Sequence, residues 1–199
     1  MTITVPCTYI GSTALYKAMA GSSTVFTEVC DHYSRQTFRN RTFILGANGI
    51  ETLSIPVVKP TEKTLVKDIL INNDKKWQIE HLRAIQTAYN SSPFMEFYLD
   101  DILPFYTKPQ KYLAEFNMSL QETICNLIGI QARHGNTNEY HSDAENDLRP
   151  LVNKHVTTTP ELMVEPYYQV FKEKFGFTPN LSIIDLLFNM GPESVLYLK

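Results

Sequence analysis

Thr37-Phe38-Arg39-Asn40-Arg41-Thr42-Phe43-Ile44-Leu45, then Gly46-Ala47-Asn48-Gly49, then Ile50-Glu51-Thr52-Leu53-Ser54-Ile55-Pro56-Val57, reads as two strands folded about a tight turn. β-Branched and aromatic residues crowd both arms, and such side chains suit a pleated, half-buried surface. Asn-Gly is a favoured hairpin centre because both residues tolerate positive φ. On the return arm Leu53, Ile55 and Val57 share one face, since side chains alternate along a strand. A β-hairpin thus anchors the first third of the chain. Upstream, residues 2–5 and 24–29 read as strands and 13–20 as a short helix. Downstream, residues 65–71 read as one more strand.

Helices follow. Asn73 or Asp74 can cap a helix running to about Tyr89, with Ile79, Leu82, Ile85 and Tyr89 in one stripe. Residues 92–106 are partly helical. Tyr112, Phe116, Leu120, Ile124 and Leu127 recur at helical spacing, and Gly129 is a natural residue to end that helix. From 131 to about 156 the periodicity fails, and a polar loop or a mobile lid is expected. The segment 180–190 reads as a helix apolar on every side except at Asp185 and Asn189, stopped by Gly191-Pro192. Such a helix belongs in the interior. Strands first and helices after predict an α+β fold. Its mixed or antiparallel sheet lies in the N-terminal third, and the helical C-terminal two-thirds pack on it. No linker demands a cut, so 1–199 reads as a single domain.

The 199 residues carry a net charge of −3 and are 43% hydrophobic. That is enough apolar content for a core, and it argues against a nucleic-acid partner, which needs a basic surface. No stretch approaches the ~20 apolar residues of a membrane span. Cys7, Cys30 and Cys125 are odd in number and widely spaced, which predicts neither a disulfide framework nor a metal site. The start lacks a basic region followed by an apolar run, so no signal peptide is expected. Together these point to the cytoplasm. No phosphate loop, nucleophile elbow or dinucleotide fingerprint occurs, and no cofactor is named.

Several side chains are candidates for a site. Arg39 and Arg41, two apart on a strand, point the same way and repel each other unless an anion bridges them. They either grip a phosphate or carboxylate, pair with Asp185, or form a solvated pair. Trp77 and His81 are one helical turn apart, either as interfacial packing or as a stacking surface with an acid–base group. Asp185 on a buried helix needs an answer, either an Arg or a capping box with Ser182. Asn189 shares its face. The expectation is that Arg39, Arg41, His81, Asp185 and Asn189 converge on one cavity with Trp77 beside them and Tyr167 or Gln169 near the rim. His81 would be the catalytic acid or base there, and the ligand small and anionic or sugar-like. Cys7 reads mainly as a small buried hydrophobe.

Five segments in order resemble the WbqC-like family: Gln36-Thr37-Phe38-Arg39-Asn40-Arg41, Leu53-Ser54-Ile55-Pro56-Val57, Trp77 with His81, Tyr89 with Ser92-Pro93-Phe94, and the closing Pro179-Asn180-Leu181-Ser182-Ile183-Ile184-Asp185-Leu186-Leu187-Phe188-Asn189. The resemblance implies a bacterial protein associated with surface polysaccharide (O-antigen) gene clusters. It implies a step in building or modifying such a glycan, by transfer of a small group to an activated sugar. Many members open with a strand, His-Gln-Pro and then Tyr-Phe-Pro-Trp. Here Val5-Pro6-Cys7-Thr8-Tyr9-Ile10-Gly11-Ser12 stands instead, without the His or the Trp. The alternative is therefore a non-catalytic binding or regulatory protein that has lost the family's chemistry, and whether the chain is an enzyme stays open. Oligomeric state is not legible.

Overall fold

The computed structural model describes residues 1–153 and 159–199. Its architecture is α+β, with strands in two separate sheets. Strand β1 (Thr2–Pro6), helix α1 (Thr13–Ala20) and strand β2 (Thr24–Glu28) form a crossover unit. The strands run parallel, Thr2 facing Thr24, an arrangement that requires such a connection. The antiparallel hairpin of β3 (Arg41–Gly46) and β4 (Gly49–Ser54) follows. Then come α2 (Trp77–Tyr89), α3 (Met95–Thr107), α4 (Leu113–Ile128) and β5 (Arg133–Asn136). The short α5 (Lys172–Phe175), α6 (Ile183–Met190) and the short α7 (Ser194–Tyr197) complete the order. β5 returns to the first sheet, parallel to β2, in the order β1-β2-β5. No helix among the described residues is long and apolar enough to cross a membrane.

Four expectations are corrected. The span 131–156 is not all loop, because Arg133–Asn136 completes the open edge of β2. The strand has no apolar residue, so its only local signal is Gly135, where a Cβ would come within 3.2 Å of the Phe26 ring. Residues 154–156 of that expected loop lie outside the described residues. Residues 65–71 are not a strand but a single 3₁₀ turn, Val66–Asp68, flanked by isolated bridges. Val66 and Ile69 are both buried, at the three-residue spacing that a 3₁₀ turn superposes. α2 starts at Trp77, because the Asn72 side chain accepts the Asp74 N–H and closes a turn ahead of it. Ile79 is consequently exposed, and the buried face runs through Trp77, His81, Ile85 and Tyr89. Finally, β3 starts at Arg41, so Arg39 precedes the strand and the two arginines are not placed by its alternation.

The hairpin is tighter than its arms predict. Gly46 faces Gly49 across the ladder, leaving Ala47 and Asn48 as the loop. Of the expected Asn48-Gly49 pair only Gly49 has positive φ, +111°. α4 follows its sequence pattern: Tyr112 precedes it, and Gly129 at φ +85° closes it by donating to the carbonyls of Cys125 and Asn126.

α6 is the hub. Every residue from Ile183 to Asn189 is buried. The Ser182 N–H donates to the Phe43 carbonyl (2.9 Å) and the Ile183 N–H to that of Gly11 (2.9 Å), while the Thr13 N–H donates to that of Leu181 (3.0 Å). The Asn180 side chain accepts the Ala14 N–H at 3.2 Å. The start of α6 is thereby stitched to the hairpin and to the first turn of α1. At its far end Gly191 has φ +55°, and a Cβ there would come within 2.6 Å of the Phe94 ring.

The hairpin assignment has a direct test. Nothing lies within 4 Å of a Cβ built on Gly49, so a substitution there meets only backbone strain. Gly49→Val should cost about 1–3 kcal/mol, read as a lowered midpoint in urea with an unchanged slope. An unchanged midpoint contradicts the turn geometry.

Candidate functional site

The residues singled out from sequence fall into three environments. The first surrounds Asp185, which is 1% exposed. Its Oδ2 accepts the Tyr167 hydroxyl at 2.6 Å and the Gln169 amide at 2.8 Å. Gln169 is itself fixed by donating to the Thr178 carbonyl and accepting the Thr178 N–H. Asn189 donates to the Asp185 backbone carbonyl one turn back. Tyr89 lies close enough to pull the carboxyl down, but its hydroxyl makes no hydrogen bond of acceptable geometry. The buried carboxylate is thus answered by a phenol and a carboxamide. The pairing with an arginine and the capping box are both corrected, since the Ser182 hydroxyl is buried without a partner. Burial raises the Asp185 carboxyl to about 6 against the pull of Tyr167, Gln169 and Tyr89.

The second environment is aromatic. His81 is 5% exposed. Its ring meets Trp77 edge-on at 5.3 Å and stacks on Tyr9 at 5.6 Å. Its Nδ1 lies 2.9 Å from the Tyr9 hydroxyl, which lies 2.8 Å from that of Tyr106. Burial pushes the imidazole down to about 4, and a backbone hydrogen bond to Ser54 pulls the other way. The ring is therefore neutral at pH 7, and its tautomer sets whether Nδ1 or the Tyr9 hydroxyl donates. Five well-formed surface cavities are all lined by other residues. Cys7, at the end of β1, is buried, and burial raises its thiol to about 11 despite Asn117 and Arg39.

The third environment holds the arginines, which part company. Arg39 is buried and pairs with the Asp31 carboxylate and the Ser34 hydroxyl. Its carbonyl accepts the Asn117 amide at 2.8 Å. Arg41 is half-buried and lines a surface cavity of about 360 Å³ together with Tyr33, Arg35, Asn40 and Lys59. No carboxylate is among the residues lining it. Burial raises the Tyr33 phenol, while Arg39, Arg41 and Arg35 all pull it down, which puts three guanidinium groups within electrostatic reach of one side chain. Like charges gathered this way repel, and an anion relieves the repulsion.

Sequence reasoning found Arg41 but missed Tyr33, Arg35, Asn40 and Lys59. The available signal was three arginines within seven residues, 35, 39 and 41. A larger cavity, about 550 Å³, lies along the first sheet with Glu28, Glu139, Asp143 and Glu145 in its wall. Those carboxylates repel an anion, so the smaller cavity suits an anionic ligand better.

The chain is an α+β protein with a cationic cavity at the base of its hairpin. It belongs to the WbqC-like protein family, whose sequence profile matches residues 8–159 and 155–197. It is 27% identical over 194 residues to the uncharacterized protein Rv1507c of Mycobacterium tuberculosis, a match covering 84% of each chain. No solved structure matches.

Asp185 and His81 make opposite contributions to stability with pH. The raised carboxyl holds its proton more tightly when folded, so its contribution is full below about 4 and lost as pH rises through about 6. The lowered imidazole resists protonation when folded, so its contribution is full above the ordinary 6.5 and lost as pH falls toward about 4. Each shift exceeds two pH units, worth roughly 3 kcal/mol at 1.4 kcal/mol per unit. Asp185→Asn can keep both Oδ2 hydrogen bonds. Relative to the parent, it should gain roughly 3 kcal/mol between pH 4 and 7 in urea unfolding. A difference that is flat with pH contradicts the raised carboxyl.

Proposed function

We propose that this protein binds a small anionic, sugar-linked ligand in the cavity at Arg41. We further propose that it serves a cytoplasmic step in building or modifying bacterial surface polysaccharide. One observation carries the binding reading: Arg35, Arg41 and Lys59 line one cavity with no carboxylate among its lining residues. The glycan context comes from the family resemblance, with transfer of a small group to an activated sugar as the chemical step. In that version the ligand's phosphate rests on Arg41, while His81, Trp77, Tyr167, Gln169, Asp185 and Asn189, enclosed in the core, support the fold rather than touch the ligand.

A second reading, a binding or regulatory protein without chemistry, is favoured by a specific observation. His81 is 5% exposed and lowered to about 4, and the Cys7 thiol is buried and raised to about 11. Neither is a ready base or nucleophile at neutral pH. Both readings share the anion site, and a screen of sugar nucleotides by thermal shift tests it.

A ligand at 100 times its dissociation constant stabilises the fold by about 2.7 kcal/mol. Arg35→Ala and Arg41→Ala should each abolish that shift while the unliganded melting temperature stays within a few degrees. Arg39→Ala should instead cost roughly 1–3 kcal/mol of stability, because it removes the charged partner of the part-buried Asp31 and the bond to Ser34. An undiminished shift in Arg41→Ala rules out this cavity. A shift equally large with neutral glucose rules out the anion.

A further inference from the structure

The cationic cavity has a neighbour. Phe38, Phe43, Thr37 and Thr52 line a notch of about 70 Å³, and Arg41 and Gln36 line both spaces. Phe38 and Phe43 meet edge to face at 5.4 Å and 86°. An anion avoids the negative faces of such rings and a ligand ring seeks them, so the two spaces sort a ligand by chemistry. The anion goes to the cationic side and an apolar or flat part to the aromatic side. Arg41 stands between them, and a guanidinium can donate in its plane to a phosphate while stacking a ring on its face.

Two unpartnered atoms sharpen the ligand. Arg41 Nε is buried and lacks an acceptor, and Asn40 Oδ1 is buried and lacks a donor. Asn40 is 8% exposed, and it is clamped to Ile55: its side-chain amide N–H donates to the Ile55 carbonyl (2.8 Å) and its backbone carbonyl accepts the Ile55 N–H (2.8 Å). Its Oδ1 is therefore held in place. The phosphate group of a dianionic monoester offers acceptors only, whereas a sugar hydroxyl or a base N–H supplies a donor. Gln36, on the wall shared by both spaces, has φ +60°. That region is uncommon for a residue with a side chain, and such strain gathers at ligand clamps.

We infer that the ligand is a ring-bearing phosphate ester, its phosphate in the cationic cavity and the edge of its ring in the Phe38–Phe43 notch. The inference rests on the anion-site reading and adds the seat of the ring to it. Pyranoses and nucleobases share this chemistry, and the test separates them. Titration calorimetry compares uridine 5′-diphosphate with pyrophosphate, and glucose 1-phosphate with inorganic phosphate. At least one ring-bearing ester should bind tenfold or more tightly than its ringless counterpart, and the pair that shows it identifies the ring. Phe38→Leu should erase that preference and leave the ringless affinity unchanged. Should Phe38→Leu fail to fold, Thr52→Tyr fills the notch from an exposed strand position and should do the same. Equal affinities within both pairs overturn the ring while leaving the anion site standing. A preference that survives a filled notch overturns its placement. No binding of any of the four overturns the anion site and the inference with it.

Discussion

A helix that is apolar on every side must be enclosed on every side, and α6 imposes that condition on the whole molecule. Ile183, Ile184, Leu186, Leu187 and Phe188 are fully buried. The hairpin, α1 and α3 all send backbone or side-chain contacts to it. Enclosure has an electrostatic cost, because the helix carries Asp185 into a medium that disfavours charge. The structure meets that cost with neutral donors. Tyr167 and Gln169 reach the carboxylate from a segment that is otherwise irregular, and the same two bonds position that segment against the core. A cation would satisfy the carboxylate more strongly but would itself need desolvation, a penalty that two neutral donors avoid.

The same economy explains why two arginines so near in sequence act so differently. The chain turns between Arg39 and the start of β3, so one guanidinium goes inward and the other outward. Inside, Arg39 is neutralised by Asp31, and its carbonyl holds Asn117 of α4. It ties the turn ahead of the hairpin to the longest helix. Outside, Arg41 keeps its charge and shares a cavity wall with Arg35 and Lys59. The inner pair anchors the turn, and the outer cations give the cavity its sign.

Much of the fold was legible because it was written in local patterns. The hairpin arms, the α4 stripe with its closing Gly129, and the apolar run of α6 each carry their own period or breaker. β5 was hidden because its four polar residues become a strand only when β2 offers an unpaired edge. The strand expected at 65–71 failed because a short apolar stretch is compatible with either a strand or a 3₁₀ turn. In the site, Asp185 was read as buried with Tyr167 or Gln169 at the rim of its cavity; both instead meet the carboxylate inside the core, from a segment without periodicity where no spacing rule fixes the contact. Arg41 was found for its charge. Tyr33, Asn40 and Lys59 were missed because they lie on irregular segments on either side of the hairpin, where no period places them.

The stitching of α6 also bears on how the chain leaves the ribosome. Residues 180–190 hold the start of α1 and the first strand of the hairpin, elements synthesised well over a hundred residues earlier. Until α6 emerges, the hairpin and the helices surround a space with nothing in it, and their inward faces stay wet. Domains generally fold as units during synthesis, and here the unit cannot close until its hub arrives. The nascent chain thus carries exposed apolar surface until residues 180–190 have left the ribosome.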